Sequence, residues 1–400
     1  MDKYSVLKNC FGYNSFKYPQ DKIIDMVMAG KEVIGLLPTG FGKSIIFQVL
    51  AFMQEGVSII ISPLIALMED QVNALKKKGI LAAFLNSNLS YEEQFMIYQN
   101  TSKNKYKLIY VSPERLENQN FLSSIKKVNI SMIVVDEAHT ILWAEGFRAA
   151  FGNIYSFIEK QQTRPKILAL TATATNFTTQ KIKDYLHLRD SIVIDVPMDR
   201  PNLFYRVVSI ENKLPFLLKY LSMHNNEKGI IYCLTRREVE ALHNKLLNLN
   251  YQNVYYHGGL DVESKIKNQE LFTLGQSRLM ICTNAFGMGI DIPDIRFVIE
   301  YNLPQSLEDL TQQMGRASRD GGYGEGIVLF SFKDIDTVKY FIEQQEKKTI
   351  RKEHQKKLDA LVDYCLTKKC RHSFICSYFG QKVHSCKGGC DNCKKKVDNT

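Results

Sequence analysis

The chain has 400 residues, 45% of them hydrophobic, and a formal net charge of +10. That length exceeds one ordinary core and calls for two or three domains, and the apolar content excludes a disordered chain. The basic balance favours a polyanionic partner; no run of about 18 apolar residues and no apolar N-terminal segment follows Met1, so neither a membrane span nor a secretory signal is expected and the predicted location is cytoplasmic.

Near the N-terminus, Phe11-Gly12-Tyr13 and Phe16-Lys17-Tyr18-Pro19-Gln20 precede the first strand-like run. Gln20 can offer a donor and an acceptor together to an adenine edge, and Tyr13 can stack on the base. Taken alone, these residues read as packing aromatics and a surface glutamine. The run Val33–Leu37 then leads into Pro38-Thr39-Gly40-Phe41-Gly42-Lys43-Ser44 and the helical pattern Ile45–Met53. Strand, glycine loop and helix in that order are the context a phosphate loop requires; the competing reading is a plain glycine turn before a helix. The glycines let backbone N–H groups turn onto phosphate oxygens, and the helix N-terminus adds free donors. Lys43 would reach the β- and γ-phosphates, with Ser44 offering a hydroxyl to Mg2+. The strict signature has glycine at position 37, where this chain has leucine.

Further continuous apolar runs follow at Ser58–Ile61, Lys107–Val111, Ser131–Val135 and Ile167–Leu170, then at Gly229–Cys233, Arg278–Thr283, Phe297–Tyr301 and Ile327–Phe330. Such runs suit parallel strands buried on both faces, and their alternation with helical patterns predicts an α/β chain. Met132–Val135 ends in Asp136-Glu137-Ala138-His139. Carboxylates at the C-terminal end of a parallel strand face the usual ligand crevice. Asp136 would hold Mg2+, and Glu137 would orient and deprotonate an attacking water. The competing reading is a solvated acidic loop.

Prolines and polar residues at Val196–Asn202 predict a linker between two series of α/β units. In the second series, Gln312-Gln313-Met314-Gly315-Arg316-Ala317-Ser318-Arg319 carries two arginines three apart, which share one face if the stretch is helical. From Lys333 the pattern is helical, with Leu358, Leu361, Val362 and Cys365 in phase. Five of the nine cysteines then crowd together: Cys370, Cys376, Cys386, Cys390 and Cys393. One metal site fits this better than a disulfide scaffold. The predicted domains are 1–199, 200–335 and 336–400.

These motifs, in this order, resemble a superfamily 2 helicase and specifically the RecQ family. The resemblance runs through Phe11–Gln20, Leu37–Ser44, Ser62–Gln71, Tyr110–Leu116, Asp136–His139, Leu170–Thr175, Tyr232-Cys233, Tyr256–Leu260, Thr283–Asp291 and Gln312–Gly321. It implies two RecA-like parallel-sheet lobes in tandem with ATP between them, plus a small helical zinc-binding domain. It also implies 3′-to-5′ movement on single-stranded DNA and a role in repair or recombination. Lys17, Thr39, Gly40 and Gly42 join the nucleotide-binding set, and Gln312, Arg316 and Arg319 join the catalytic set. His139 and Thr171–Thr173 would link nucleotide state to lobe motion. Ser62, Ser112, Arg115 and Thr283 are expected DNA contacts. So are Trp143, Phe147 and Arg148 in an aromatic loop. Cys370, Cys386, Cys390 and Cys393 would hold a closed structural zinc.

Four departures from the family pattern stand out. Lys17 replaces arginine, and Ser318 replaces glycine. The aromatic loop is one residue short between His139 and Trp143. Three residues, Lys387-Gly388-Gly389, separate Cys386 from Cys390 instead of two. The family often continues into a winged-helix domain, which this chain does not reach, so a translocase that unwinds poorly is the expected alternative. A motor acting on RNA and a scaffold with an idle ATP site are weaker ones. Tailed duplex DNA is the expected partner and a monomer the expected state, nucleoid-associated if the source is bacterial.

Overall fold

The computed structural model describes residues 2–38, 40–63, 65–86, 89–145, 149–172, 175–286, 292–383 and 385–397, without the side chains of 65, 66, 142–145, 149, 151, 396 and 397. Thr39, Phe147, Arg148 and Thr173 therefore lie outside the described residues, as does the side chain of Trp143. The chain divides into two compact units, Met1–Val196 and Pro197–Thr400.

The first unit is built on a seven-stranded sheet of order β3-β4-β2-β5-β6-β1-β7. Its strands are β1 Val33–Leu36, β2 Val57–Ile61, β3 Ala82–Leu85, β4 Leu108–Val111, β5 Ile130–Val135, β6 Lys166–Thr171 and β7 Ile192–Asp195. All its pairings are parallel. Successive side chains point to opposite faces, so each apolar run feeds two cores. Ile60, Tyr110, Val134 and Leu168 enter one core; Ile59, Ile109, Val135 and Ile167 enter the other. This is why the central strands read as unbroken hydrophobic stretches.

The second unit carries a six-stranded parallel sheet of order β10-β11-β9-β12-β13-β8. Its strands are β8 Leu203–Ser209, β9 Lys228–Tyr232, β10 Val254–Tyr256, β11 Leu279–Cys282, β12 Ile295–Glu300 and β13 Gly324–Phe330. Beyond β13 the described chain is helical, at Phe332–Glu343, Lys348–Leu366, Arg371–Tyr378 and Asp391–Val397. Leu358, Leu361 and Cys365 face inward as their spacing predicts. They join Ile375, Cys390 and Cys393 in the same core as Ile230, Val298 and Val328 of the sheet. The cysteine segment is thus packed onto this unit's sheet.

Val196–Asn202 is more tightly held than a plain linker. The Met198 N–H donates to Gln381 Oε1 at 2.7 Å, and Asp199 Oδ1 lies 2.6 Å from His372 Nδ1. Among the described residues no helix is long and apolar enough to cross a membrane.

Candidate functional site

At the C-terminal end of β1, Gly40 and Gly42 adopt φ of +79° and +70°. This left-handed backbone favours glycine and turns the loop so that the helix Lys43–Met53 starts directly after Gly42. A helix N-terminus at this point in the loop suits an anion, since its first N–H groups lack acceptors within the helix. Lys43, the first helical residue, donates from Nζ to Glu137 Oε1 at 2.8 Å. The sheet order makes this contact, because β1 and β5 flank β6 and their C-terminal ends lie near one another.

The N–H of Asp136 extends the ladder by donating to Ile61 O at 2.9 Å. Glu137 has φ +48° and donates its N–H to Asp136 Oδ1 at 3.0 Å. A left-handed glutamate is strained, and such strain gathers where a side chain must be aimed. Both residues are only 9% exposed. Burial, and then the charge of Glu137, raise the Asp136 pKa to about 6 against the pull of Lys43. Burial also pushes Glu137 up, but Lys43 and then His139 outweigh it and hold Glu137 below the usual carboxylate range. His139 Nδ1 lies 2.8 Å from Thr171 Oγ1 and 3.5 Å from Glu137 Oε2. The two acids thus differ: one is kept ionised by a lysine, and the other is buried with too little positive charge.

Gln20 is placed differently from expectation. It is buried, and its Nε2 donates to the Phe41 and Gly42 carbonyls at 2.7 and 3.1 Å, while Oε1 accepts from Lys17 N–H at 2.9 Å. Donor and acceptor are both engaged, so Gln20 braces the phosphate loop. Tyr13 is exposed, and Lys17 Nζ reaches Gly40 O at 3.4 Å.

In the second unit the arginine stretch is not a continuous helix. The helix Leu307–Met314 contains Gln312 and ends at Gly315. Arg316 and Ala317 then donate to carbonyls three residues back, Ser318 N–H turns to Ile295 O at 2.7 Å, and Ser318 adopts φ +49°. The shared helical face expected for Arg316 and Arg319 is replaced by a tight loop. The Ser318 hydroxyl donates to Tyr323 O at 2.8 Å and accepts from Arg296 at 3.0 Å. These bonds offset the strain of a non-glycine residue at positive φ.

The expected DNA contacts are scattered in setting. Ser62 and Thr283 are buried, and Ser112 is half-buried at the start of a short turn of helix, Pro113–Glu117. The Arg115 guanidinium donates to Gln94 Oε1, Tyr98 OH and Asn86 O at 2.9, 3.1 and 2.8 Å. Arg115 therefore braces its own loop. Trp143 lies in the 3-10 segment Ala138–Glu145.

The sulfurs of Cys370, Cys386, Cys390 and Cys393 all lie within 4.8 Å of one another. Thiolates about 2.3 Å from a shared tetrahedral ion stand roughly 3.8 Å apart, so the cluster fits zinc. Backbone N–H groups of Cys386 and Arg371 point at Cys370 Sγ and Cys390 Sγ at 3.4 and 3.5 Å, and Ser385 Oγ sits 3.3 Å from Cys393 Sγ. Such contacts orient metal ligands and stabilise the thiolate form. The extra loop residue is absorbed by left-handed backbone at Lys387 and Gly388, with φ +48° and +107°. Cys376 is buried outside the cluster. His372 is no ligand here, since its ring nitrogens face Asp199 Oδ1 and Gly389 O at 2.6 and 3.0 Å. The Arg371 guanidinium grips the Asp391 carboxylate at 2.6 and 3.0 Å and fixes the turn behind the cluster. The roles of Asp199, Arg200 and Asn202 carry no local sequence signal, because their partners are remote in sequence.

The chain matches the DEAD/DEAH box helicase model over residues 17–182, the helicase conserved C-terminal domain over 212–321 and the RecQ zinc-binding model over 332–394. It is 39% identical over 391 residues to the ATP-dependent DNA helicase RecQ of Bacillus subtilis (strain 168), covering 97% of this chain and 66% of that protein. It is 38% identical over 340 residues to the probable ATP-dependent DNA helicase RecS of the same organism, covering 84% and 68%. The chain thus spans about two thirds of the length of these relatives. In fold it is similar to S. cerevisiae Dbp5 bound to RNA and ADP BeF3, with a TM-score of 0.67, 17% identity and coverage of 88% of this chain and 97% of that one. At that identity the likeness concerns the fold alone. Phosphate loop, acidic strand end, arginine loop and four-cysteine cluster, together with these matches, show that the chain belongs to the RecQ family of helicases.

Proposed function

We propose that the chain is an ATP-driven motor that moves 3′ to 5′ on single-stranded DNA and separates duplex DNA during repair or recombination. The observation that carries this reading is the Lys43–Glu137 contact beside buried Asp136, at the C-terminal ends of β1 and β5 on either side of β6. Lys43 and the N–H groups of the phosphate loop bind the triphosphate. Glu137, kept ionised, takes a proton from water as its oxygen bonds to the γ-phosphorus and the bond to the bridging oxygen breaks. When ATP binds, before this step, Lys43 exchanges its carboxylate partner for phosphate oxygen. Arg316 and Arg319 supply positive charge to the γ-phosphate, with Gln312 beside them in sequence. Asp136 and Ser44 would hold Mg2+, which would supply positive charge beside the phosphates; a buried carboxylate with too little positive charge around it suits a divalent cation. Zinc held by Cys370, Cys386, Cys390 and Cys393 would serve structure and not chemistry, stabilising the second unit. The domain division 1–199, 200–335 and 336–400 is part of this reading.

DNA contact through the phosphate backbone makes binding weakly dependent on sequence and strongly dependent on salt. ATP turnover by the zinc-loaded protein is expected to rise on adding single-stranded DNA and to lose that stimulation as salt increases. Turnover indifferent to DNA at low salt contradicts the proposal. Arg319→Ala is expected to lower kcat by about 10³-fold with little change in the KM for ATP. A change confined to KM would mean that Arg319 only binds nucleotide.

A further inference from the structure

Arg200 lies in the segment that sequence reasoning treats as a linker, 115 residues or more from the loop that carries Arg316 and Arg319. Its guanidinium is nonetheless directed at that loop. Nη1 donates to Gly315 O at 3.2 Å, and Nη2 donates to Ala317 O and Ser318 O, each at 3.1 Å. Nε faces Asn202 Oδ1 at 3.4 Å, and Asn202 Nδ2 in turn donates to Ser318 O at 3.1 Å and Gly322 O at 2.8 Å. One planar fork and one amide thus hold the carbonyls on either side of Arg316 and just before Arg319.

Those carbonyls need partners. The helix Leu307–Met314 ends at Gly315, so the carbonyls after it have no continuing helix to receive them. The loop also contains a residue at φ +49°, a backbone that relaxes elsewhere unless its surroundings fix it. Arg200 is itself fixed. Asp199 faces His372 at 2.6 Å, the Met198 N–H donates to Gln381 Oε1, and Gly324 N–H donates to Asn202 O at 3.1 Å. The cation therefore sits on a strap held on both sides.

We infer that Arg200 is a positioning residue for ATP hydrolysis: by binding the Gly315, Ala317 and Ser318 carbonyls it sets where Arg316 and Arg319 point. This rests on the reading that those two arginines act in hydrolysis. Lysine cannot reproduce the role fully, because an ammonium lacks the planar fork that spans several carbonyls.

The test is DNA-stimulated ATP turnover of the full chain carrying Arg200→Ala, Arg200→Lys, Arg319→Ala, or both alanine changes, with zinc content and Tm measured on each. Displacing a reacting group by about 1 Å can lower a rate by roughly 10²-fold. Arg200→Ala is therefore expected to lower kcat by about 10- to 100-fold with the KM for ATP unchanged, and Arg200→Lys to recover part of the loss. The double variant is expected to lose less than the product of the two single losses, since part of Arg200's effect passes through Arg319 and only the share through Arg316 is left. Normal kcat in Arg200→Ala, or losses that multiply in the double variant, would overturn the inference. If Arg200→Ala does not fold, normal kcat in Arg200→Lys overturns it equally. Normal turnover in Arg319→Ala would instead overturn the assignment of the loop to hydrolysis.

Discussion

Glu137→Gln is expected to keep ATP binding and to lower turnover by about 10²- to 10⁴-fold, the range for removal of a general base. The substitution is nearly isosteric and leaves the strained backbone at φ +48° in place. It removes the charge that Lys43 and His139 hold ionised. Lys43 loses its carboxylate partner at 2.8 Å but keeps its place at the start of the helix, so phosphate binding is retained. Single-turnover hydrolysis together with equilibrium binding of a nucleotide analogue separates the two steps. Unchanged turnover would remove Glu137 from the chemistry and leave the Lys43 contact as an ion pair only.

Cys390→Ala is expected to abolish stoichiometric zinc binding and to destabilise the second unit by several kcal/mol, roughly 10 °C in Tm. Cys390 is buried in the core shared by the sheet and the C-terminal helices, accepts the Arg371 N–H and bridges to Tyr205 of β8. Loss of the cluster therefore releases part of the sheet edge as well as a loop. Cys376→Ala is the control, because Cys376 is buried nearby but lies outside the cluster. It is expected to cost about 1 kcal/mol of packing and to leave zinc content intact. Zinc content lowered by Cys376→Ala and unaffected by Cys390→Ala would mean that the ligand set is wrong.

The central strands were legible in the sequence, and the edges were not. The unpredicted strands β3, β7, β8 and β10 are the four edges of the two sheets. A central strand is covered on both faces and reads as a continuous apolar run. β8 interleaves half-exposed Phe204 and Arg206 with buried Leu203 and Tyr205, and β7 exposes Val193. The phosphate loop and the acidic strand end were legible because each couples a local motif to a strand terminus. Their mutual contact, Lys43 to Glu137, followed only from strand order.

Partners chosen by tertiary packing stayed hidden. Gln20 turns its amide onto the phosphate loop, Arg115 is consumed by Gln94, Tyr98 and Asn86, and Arg200 crosses to the arginine loop. Each is a polar side chain whose spacing is equally compatible with solvent or ligand. The ending of the helix at Gly315 was likewise decided by carbonyl partners distant in sequence.

Loading on a 3′ single strand and separation of duplex DNA are read out together by measuring ATP hydrolysis and strand separation in one assay. The substrates are a 3′-tailed duplex, a 5′-tailed duplex and an RNA counterpart. Hydrolysis with unwinding of the 3′-tailed DNA alone is the predicted result. Unwinding that prefers the 5′ tail or the RNA would contradict the account, and hydrolysis without strand separation would leave a translocase in place of a helicase.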